Sequence, residues 1–194
     1  DGGETWTHIQ NGLTFDSFYG AEMIGGNKLW VVGDLGVLLH TSNGGATWVQ
    51  QSTYTTNSLL SISFVNENYG WAVGDLGTLI RTVNGGASWS ITPTGVGDVL
   101  FGVKFKDQNN GWLVGDYGII RRTVNGGSNW TPQTSNTGAT LFYVDFLDLN
   151  NGFCAGSNGT ILKTSNGGTT WTSQPTGTQR TLYLVGGVSL NSLW

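Results

Sequence analysis

The chain has 194 residues, of which 32 are glycine and three proline, with 12% aromatic and 10% charged side chains. Glycine at this frequency without a Gly-X-Y period excludes collagen, the aromatic content excludes a disordered linker, and short strands joined by tight turns account for both. Eight Lys plus Arg against twelve Asp plus Glu give a net charge of −4, which argues against a nucleic-acid or other phosphate-binding surface.

Taken in chain order, the sequence is a tandem repeat. Asp1-Gly2-Gly3-Glu4-Thr5-Trp6 opens the chain without signal-peptide character. It returns as Asn43-Gly44-Gly45-Ala46-Thr47-Trp48, then as Asn84 to Trp89, Asn125 to Trp130 and Asn166 to Trp171. The first step is 42 residues and the others are 41. A second aromatic series (Trp30, Trp71, Trp112, Phe153 and Trp194) keeps the same register, as do Asn27, Asn68, Asn109, Asn150 and Asn191. All nine tryptophans fall on one of the two aromatic series, so the repeat accounts for each of them.

Residues 1–15 read as the last strand of a preceding blade, 16–56, 57–97, 98–138 and 139–179 as complete blades, and 180–194 as the first strands of another. Within 57–97, Leu60, Ile62 and Phe64 alternate with Ser61, Ser63 and Val65, giving a first strand with one dominant apolar face. Tyr69 to Val73 is a second strand, closed by the turn Gly74-Asp75-Leu76-Gly77. Thr78 to Thr82 is a third, and Ser88 to Thr92 a fourth, followed by Pro93 and a Thr/Gly-rich connector. Four strands per repeat define an all-β fold, a β-propeller of four-stranded antiparallel blades with about five blades represented, expected to be part of a larger propeller. The runner-up is a β-solenoid, whose coils are usually shorter and lack this four-strand division. Two further readings of the ends are a composite fifth blade lacking one strand, and edge strands that pair between molecules.

The stretch from Thr82 to Trp89 resembles the Asp-box, Ser-x-Asp-x-Gly-x-Thr-Trp, of bacterial neuraminidase repeats. Its asparagine accepts hydrogen bonds from amides of its own turn, a Ser or Thr hydroxyl closes the turn, and the tryptophan buries apolar surface worth roughly 2–3 kcal/mol. Asn43, Trp48, Asn84, Trp89, Asn125, Trp130, Asn166 and Trp171 are therefore expected to be structural, because a turn repeated in every blade answers a shared folding requirement. The basic series His40, Arg81, Arg122 and Lys163 is expected at a surface or between blades. Ligand contacts belong where the repeats diverge, on the face formed by the connectors and the Gly-Asp-x-Gly turns. The candidates there are Asp16, Asn57, Asp98 and Arg180 in the connectors, with Asp34, Asp75 and Asp116 in the turns.

The longer stretch from Gly70 to Trp89, repeated closely at Gly111 to Trp130 and Asn151 to Trp171, resembles the photosystem II stability/assembly factor family, a branch of the BNR/Asp-box propellers. That resemblance implies a non-catalytic protein-binding propeller placed outside the cytosol. Photosynthetic members carry an arginine-rich patch, and this chain has four arginines, two of them in the repeat series.

Asp-box propellers also include sialidases and xyloglucanases. A sialidase site needs three arginines around a carboxylate, whereas only Arg121 and Arg180 stand outside the repeat series here. A glycosidase needs two carboxylates, for which Asp16, Asp98 and Asp145 qualify by type alone. No catalytic set, cofactor or metal is expected: Cys154 is alone and supports neither a disulfide nor a cysteine cluster. No apolar run reaches bilayer length. The expected function is a secreted, surface or periplasmic/lumenal scaffold that binds a protein or glycan. The alternatives are the propeller part of a glycan-active hydrolase and a structural repeat unit of an extracellular assembly that self-associates through edge strands.

Overall fold

The computed structural model describes residues 4–5, 17–184, 187–189 and 192–193. Asp16, Trp6 and Trp194 lie outside the described residues. The repeat folds into four antiparallel sheets of four strands each, ordered outward in chain sequence. Blade one comprises Phe18–Ile24, Lys28–Gly33, Leu38–Thr41 and Val49–Gln50. Blade two comprises Leu59–Phe64, Gly70–Gly74, Leu79–Thr82 and Ser90–Ile91. Blade three comprises Leu100–Phe105, Gly111–Gly115, Ile120–Thr123 and Thr131–Gln133, and blade four Leu141–Phe146, Gly152–Gly156, Ile161–Thr164 and Thr172–Gln174. A two-stranded sheet, Gly187–Ser189 with Ser192–Leu193, follows. The first strands of successive blades pack side by side, so they line a common axis and the fourth strands form the rim.

The sequence pattern misplaces one face of the first strand. Leu59 pairs with Gly74 and Ser61 with Val73, leaving Leu60 as an extra residue in a β-bulge. The bulge inverts the alternation, so Leu59 joins Ile62 and Phe64 in the buried core while Leu60 turns toward the axis. The same slip occurs between Phe18 and Gly20, between Leu100 and Gly102, and between Leu141 and Tyr143.

Cohesion between blades comes from one aromatic arrangement used three times. Trp71 of blade two stacks on Phe105 of blade three at 3.5 Å between ring centroids, and Trp130 meets the Phe105 edge at 5.9 Å. Trp30, Phe64 and Trp89 form the equivalent trio one seam earlier, and Trp112, Phe146 and Trp171 one seam later. The phenylalanines lie flat across their own second strand because the residue opposite is glycine. A Cβ on Gly70, Gly111 or Gly152 would press into the ring of Phe64, Phe105 or Phe146. In blade one the equivalent position is Met23, which is exposed, and its partner is Leu29. Arg81 and Arg122 lie over Trp71 and Trp112, at 5.9 and 5.5 Å from the ring centroids, and reach Gly126 and Gly167 of the next blade. Arg81 and Arg122 of the basic series therefore belong to the seams.

Polar links complete each seam. The indole N–H of Trp71 donates to the Gly126 carbonyl (2.9 Å) and that of Trp112 to Gly167 (3.0 Å). In the return direction, Trp89 donates to Gln51 (3.0 Å) and Trp171 to Gln133 (3.2 Å), both 38 residues earlier. The residue 38 before Trp130 is Thr92, and the Trp130 indole N–H is buried without a partner. Replacing Thr92 with glutamine is expected to supply that acceptor and raise stability by about 0.5–1.5 kcal/mol, read as an upward shift of the urea midpoint. The reciprocal change, Gln133→Thr, is expected to lower it.

Candidate binding face

The Asp-boxes close one end of every blade. In blade two the Thr82 hydroxyl donates to Asn84 Oδ1 (2.9 Å) and accepts the Gly86 N–H (2.9 Å), while Ser88 N–H donates to Asn84 Oδ1 (3.0 Å). Asn84 Nδ2 in turn donates to the Ser88 hydroxyl (2.9 Å). Asn43 and Asn166 repeat this set with Thr47 and Thr170. Asn125 keeps the backbone bond to Asn129 N–H. Each box also ties to the turn between strands one and two, for example Gly85 N–H to the Asn68 carbonyl (3.0 Å). The side-chain oxygens of the box asparagines are thus engaged within their own turns.

The connectors and the second hairpins meet at the opposite end. Thr94 donates to the Gly77 carbonyl (2.9 Å), and Asp75 N–H donates to the Ser58 carbonyl (3.0 Å). Asn57 Nδ2 donates to Thr78 (2.8 Å), an internal bond. Asp98 and Arg180 are exposed. Asp34 accepts from the Ser58 hydroxyl of the next blade (3.3 Å), and Asp116 likewise from Thr140 (2.8 Å). At the corresponding place opposite Asp75 stands Val99, which has no hydroxyl to offer. Asp34 also accepts from the Tyr19 phenol (2.9 Å); that bond holds the carboxyl below the usual range and raises the phenol.

Two features of this face are invisible in the sequence. The hairpin tips place two successive residues in the left-handed region, the conformation of a type I′ turn. The first of the two is Leu35 (φ 53°), Leu76 (φ 54°), Tyr117 (φ 54°) or Asn158 (φ 56°). Leu35, Leu76 and Tyr117 are 66%, 70% and 75% exposed. Tyr54 (φ 58°) is a similar case in a connector whose other copies carry Gly95, Asn136 and Gly177, and it borders one shallow depression with Leu35.

The second feature is an axial cleft of about 400 Å³ lined by the first strands. Its walls include the bulged residues Tyr19, Leu60, Phe101 and Phe142 with Tyr183, all but Phe142 three positions after a connector candidate, as Leu60 follows Asn57 and Phe101 follows Asp98. Glu22 and Lys104 line it further in, and Lys104 pairs with Asp145 (3.4 Å). Hydrophobic side chains spaced by 41 residues were the available signal, masked because a bulge has no residue signature of its own.

These boxes, seams and four-stranded blades decide the fold. The chain folds as β-propeller blades closed by turns of the Asp-box pattern. Residues 48–132 match the family described as photosynthesis system II assembly factor YCF48. Among solved structures, YCF48 bound to a D1 peptide is similar at 17% identity and TM-score 0.55, covering 93% of this chain and 90% of that one. YCF48 from Cyanidioschyzon merolae is similar at 16% identity and TM-score 0.52, covering 93% and 92%. The GH74 enzyme of Niastella koreensis is similar at 21% identity and TM-score 0.61, covering 81% of this chain but only 24% of that one. These likenesses concern the fold alone. Comparison with curated protein sequences gives no match. No helix among the described residues is long and apolar enough to cross a membrane, and they contain no cluster of three or more His, Cys, Asp or Glu able to hold a metal ion.

Proposed function

We propose that this domain is a non-catalytic binding propeller that engages an extended segment of another protein through the face made by its connectors and second hairpins. The observation that carries this reading is the tip series Leu35, Leu76 and Tyr117. An exposed leucine by itself means little. Here large apolar side chains occupy a left-handed position that costs a non-glycine residue on the order of 1 kcal/mol, at a site where the fourth blade carries Asn158. Strain retained beneath exposed apolar groups fits a contact surface. The Asp and Tyr residues around it supply hydrogen-bonding groups, as a peptide backbone requires. The solved relative bound to a D1 peptide makes a peptide partner the natural class to test first.

Replacing Leu35, Leu76 and Tyr117 together by asparagine relaxes the tips and removes the apolar contacts. The triple variant is expected to melt higher than the parent. Peptides selected from a displayed random library on the parent are expected to bind it about tenfold or more weakly, the loss of one well-buried apolar contact. Retained affinity would remove the tips from the binding surface.

A glycan-active reading draws on the GH74 likeness, but this chain spans about a quarter of such an enzyme. Of the cleft carboxylates, Asp145 is ion-paired with Lys104 and accepts its neighbour's Phe146 N–H (2.8 Å), so its partners are structural ones within the blade seam. Self-association through blade edges is also less favoured, because the outer strands are two or three residues long and offer a second chain little to pair with. The placement that accords with a binding propeller of this kind is extracytoplasmic, at a cell surface, in a periplasm or lumen, or secreted.

A further inference from the structure

One position of the repeat behaves unlike the rest. Counting by 41, residues 22, 63, 104 and 145 occupy the same place in the first strand of each blade, and they are Glu, Ser, Lys and Asp. Three of the four have structural partners. Ser63 accepts the Phe105 N–H of the next blade (3.2 Å), and Lys104 pairs with Asp145 across the seam between blades three and four. Glu22 is half-buried in the wall of the axial cleft, and neither an ion pair nor a hydrogen bond engages its carboxylate among the described residues. Lys104 is ion-paired with Asp145 and acts on Glu22 only from beyond ion-pair distance, so these three charges leave the cleft with one net negative charge.

Above Glu22 the bulges build an apolar collar. Phe101 and Phe142 meet edge to face at 5.0 Å between centroids, and Phe142 meets Tyr183 at 5.1 Å, with Leu60 and Tyr19 on the far wall. Tyr19 is bonded to Asp34 at the rim. A carboxylate without an ion-pair partner below aromatic rings complements one kind of group: a single cation on an apolar stem, which gains from ring faces and from the carboxylate together.

We infer that the axial cleft receives the side chain of one lysine or arginine from the bound polypeptide, its stem held by Phe101, Phe142 and Tyr183 and its cation paired with Glu22. This deepens the reading above, resting on it for the class of partner, and makes Glu22 the determinant of a basic anchor residue. Burial raises the Glu22 carboxyl above the ordinary carboxylate value, opposed by Lys104 and reinforced by Asp145. The phenol of Tyr143 faces the same carboxylates and stays neutral, its own pKa raised by burial and by Asp145 and Glu22. Binding of the cation therefore fades, as pH falls, at a higher pH than an exposed glutamate gives.

The test uses N-acetyl-lysine methylamide as probe, its norleucine analogue as neutral control and a soluble cello-oligosaccharide as the sugar alternative. NMR follows the Glu22 carboxyl carbon and the Phe101 and Phe142 rings. The expected result is a saturable shift at all three sites with the lysine probe and none with norleucine. Glu22→Gln loses it and Glu22→Asp retains part of it, both melting cooperatively. The asparagine triple variant of the hairpin tips keeps the lysine response, so failure of the two readings is separable. Equal responses to lysine and norleucine, no saturable response, or an unchanged Glu22→Gln would overturn the proposal. A response to the oligosaccharide alone would assign the cleft to a glycan instead.

Discussion

Replacing Trp71 with alanine is expected to destabilise the domain by about 3–5 kcal/mol, measured by equilibrium urea denaturation. The side chain is fully buried and stacks on Phe105 within 5° of parallel. Its N–H holds the Gly126 carbonyl of the next blade, and Arg81 lies over its other face. Removing it opens a cavity at a seam, leaves that carbonyl short of a donor and strips the guanidinium of its support. A gentler pair of variants separates packing from hydrogen bonding. Trp71→Phe keeps a ring but loses the donor, whereas the Trp30 N–H is already buried without a partner. Trp30→Phe is thus expected to cost less than Trp71→Phe by about 1 kcal/mol, the net worth of one such bond. Equal costs would mean that the indole N–H contributes nothing across the seam.

Gly77→Ala is expected to cost about 2–5 kcal/mol, seen as a lowered thermal midpoint by circular dichroism. Gly77 sits at φ +67°, where an alanine side chain is strained by about 1–2 kcal/mol. Its Cβ would also run into the Val96 carbonyl oxygen and come within 3.3 Å of the Thr94 hydroxyl, which is bonded to Gly77 itself. Neither obstacle is the free end of a flexible side chain, so overpacking adds about 1–3 kcal/mol. Gly97, nearby in the same connector, has open space where a Cβ would stand and no positive φ. Gly97→Ala is expected to be neutral or stabilising by about 0.4–1 kcal/mol, through a less flexible unfolded chain.

Much of the architecture is legible in the sequence because it recurs. The box asparagines, both tryptophan series and the four-strand division are repeated with the same chemistry, and repetition exposes them. Strand limits differ by one or two residues: the second strand of blade two is Gly70–Gly74 where the pattern predicts Tyr69 to Val73, and its fourth is Ser90–Ile91 where the pattern predicts Ser88 to Thr92. Leu60 misleads for a physical reason. A bulge changes which side of the strand a residue faces without changing its identity, so the apparent alternation with Ile62 and Phe64 is coincidental. The tip leucines escape notice because a positive φ is legible in Asn158 or a glycine but not in Leu35 or Leu76. Glu22, Lys104 and Asp145 escape because their common position carries no common chemistry, and only the fold brings their charges together. The sequence candidates Asn57, Asp98 and Arg180 lie at the connector end of the blades, three residues short of the side chains that line the cleft.

The sameness of the three seams has a consequence for how such a chain changes length. Blades one to three each present a second-strand tryptophan to the successor, and blades two to four offer a first-strand phenylalanine to their predecessor. Excision of residues 57–97 would set Trp30 against Phe105 and bring Gln51 opposite Trp130, whose indole at present lacks an acceptor. An in-frame loss or gain of one 41-residue unit therefore leaves no joint between foreign surfaces. The seams are thus indifferent to the number of units, whereas the lining of the axial cleft, where the blades differ, changes with every unit lost or gained.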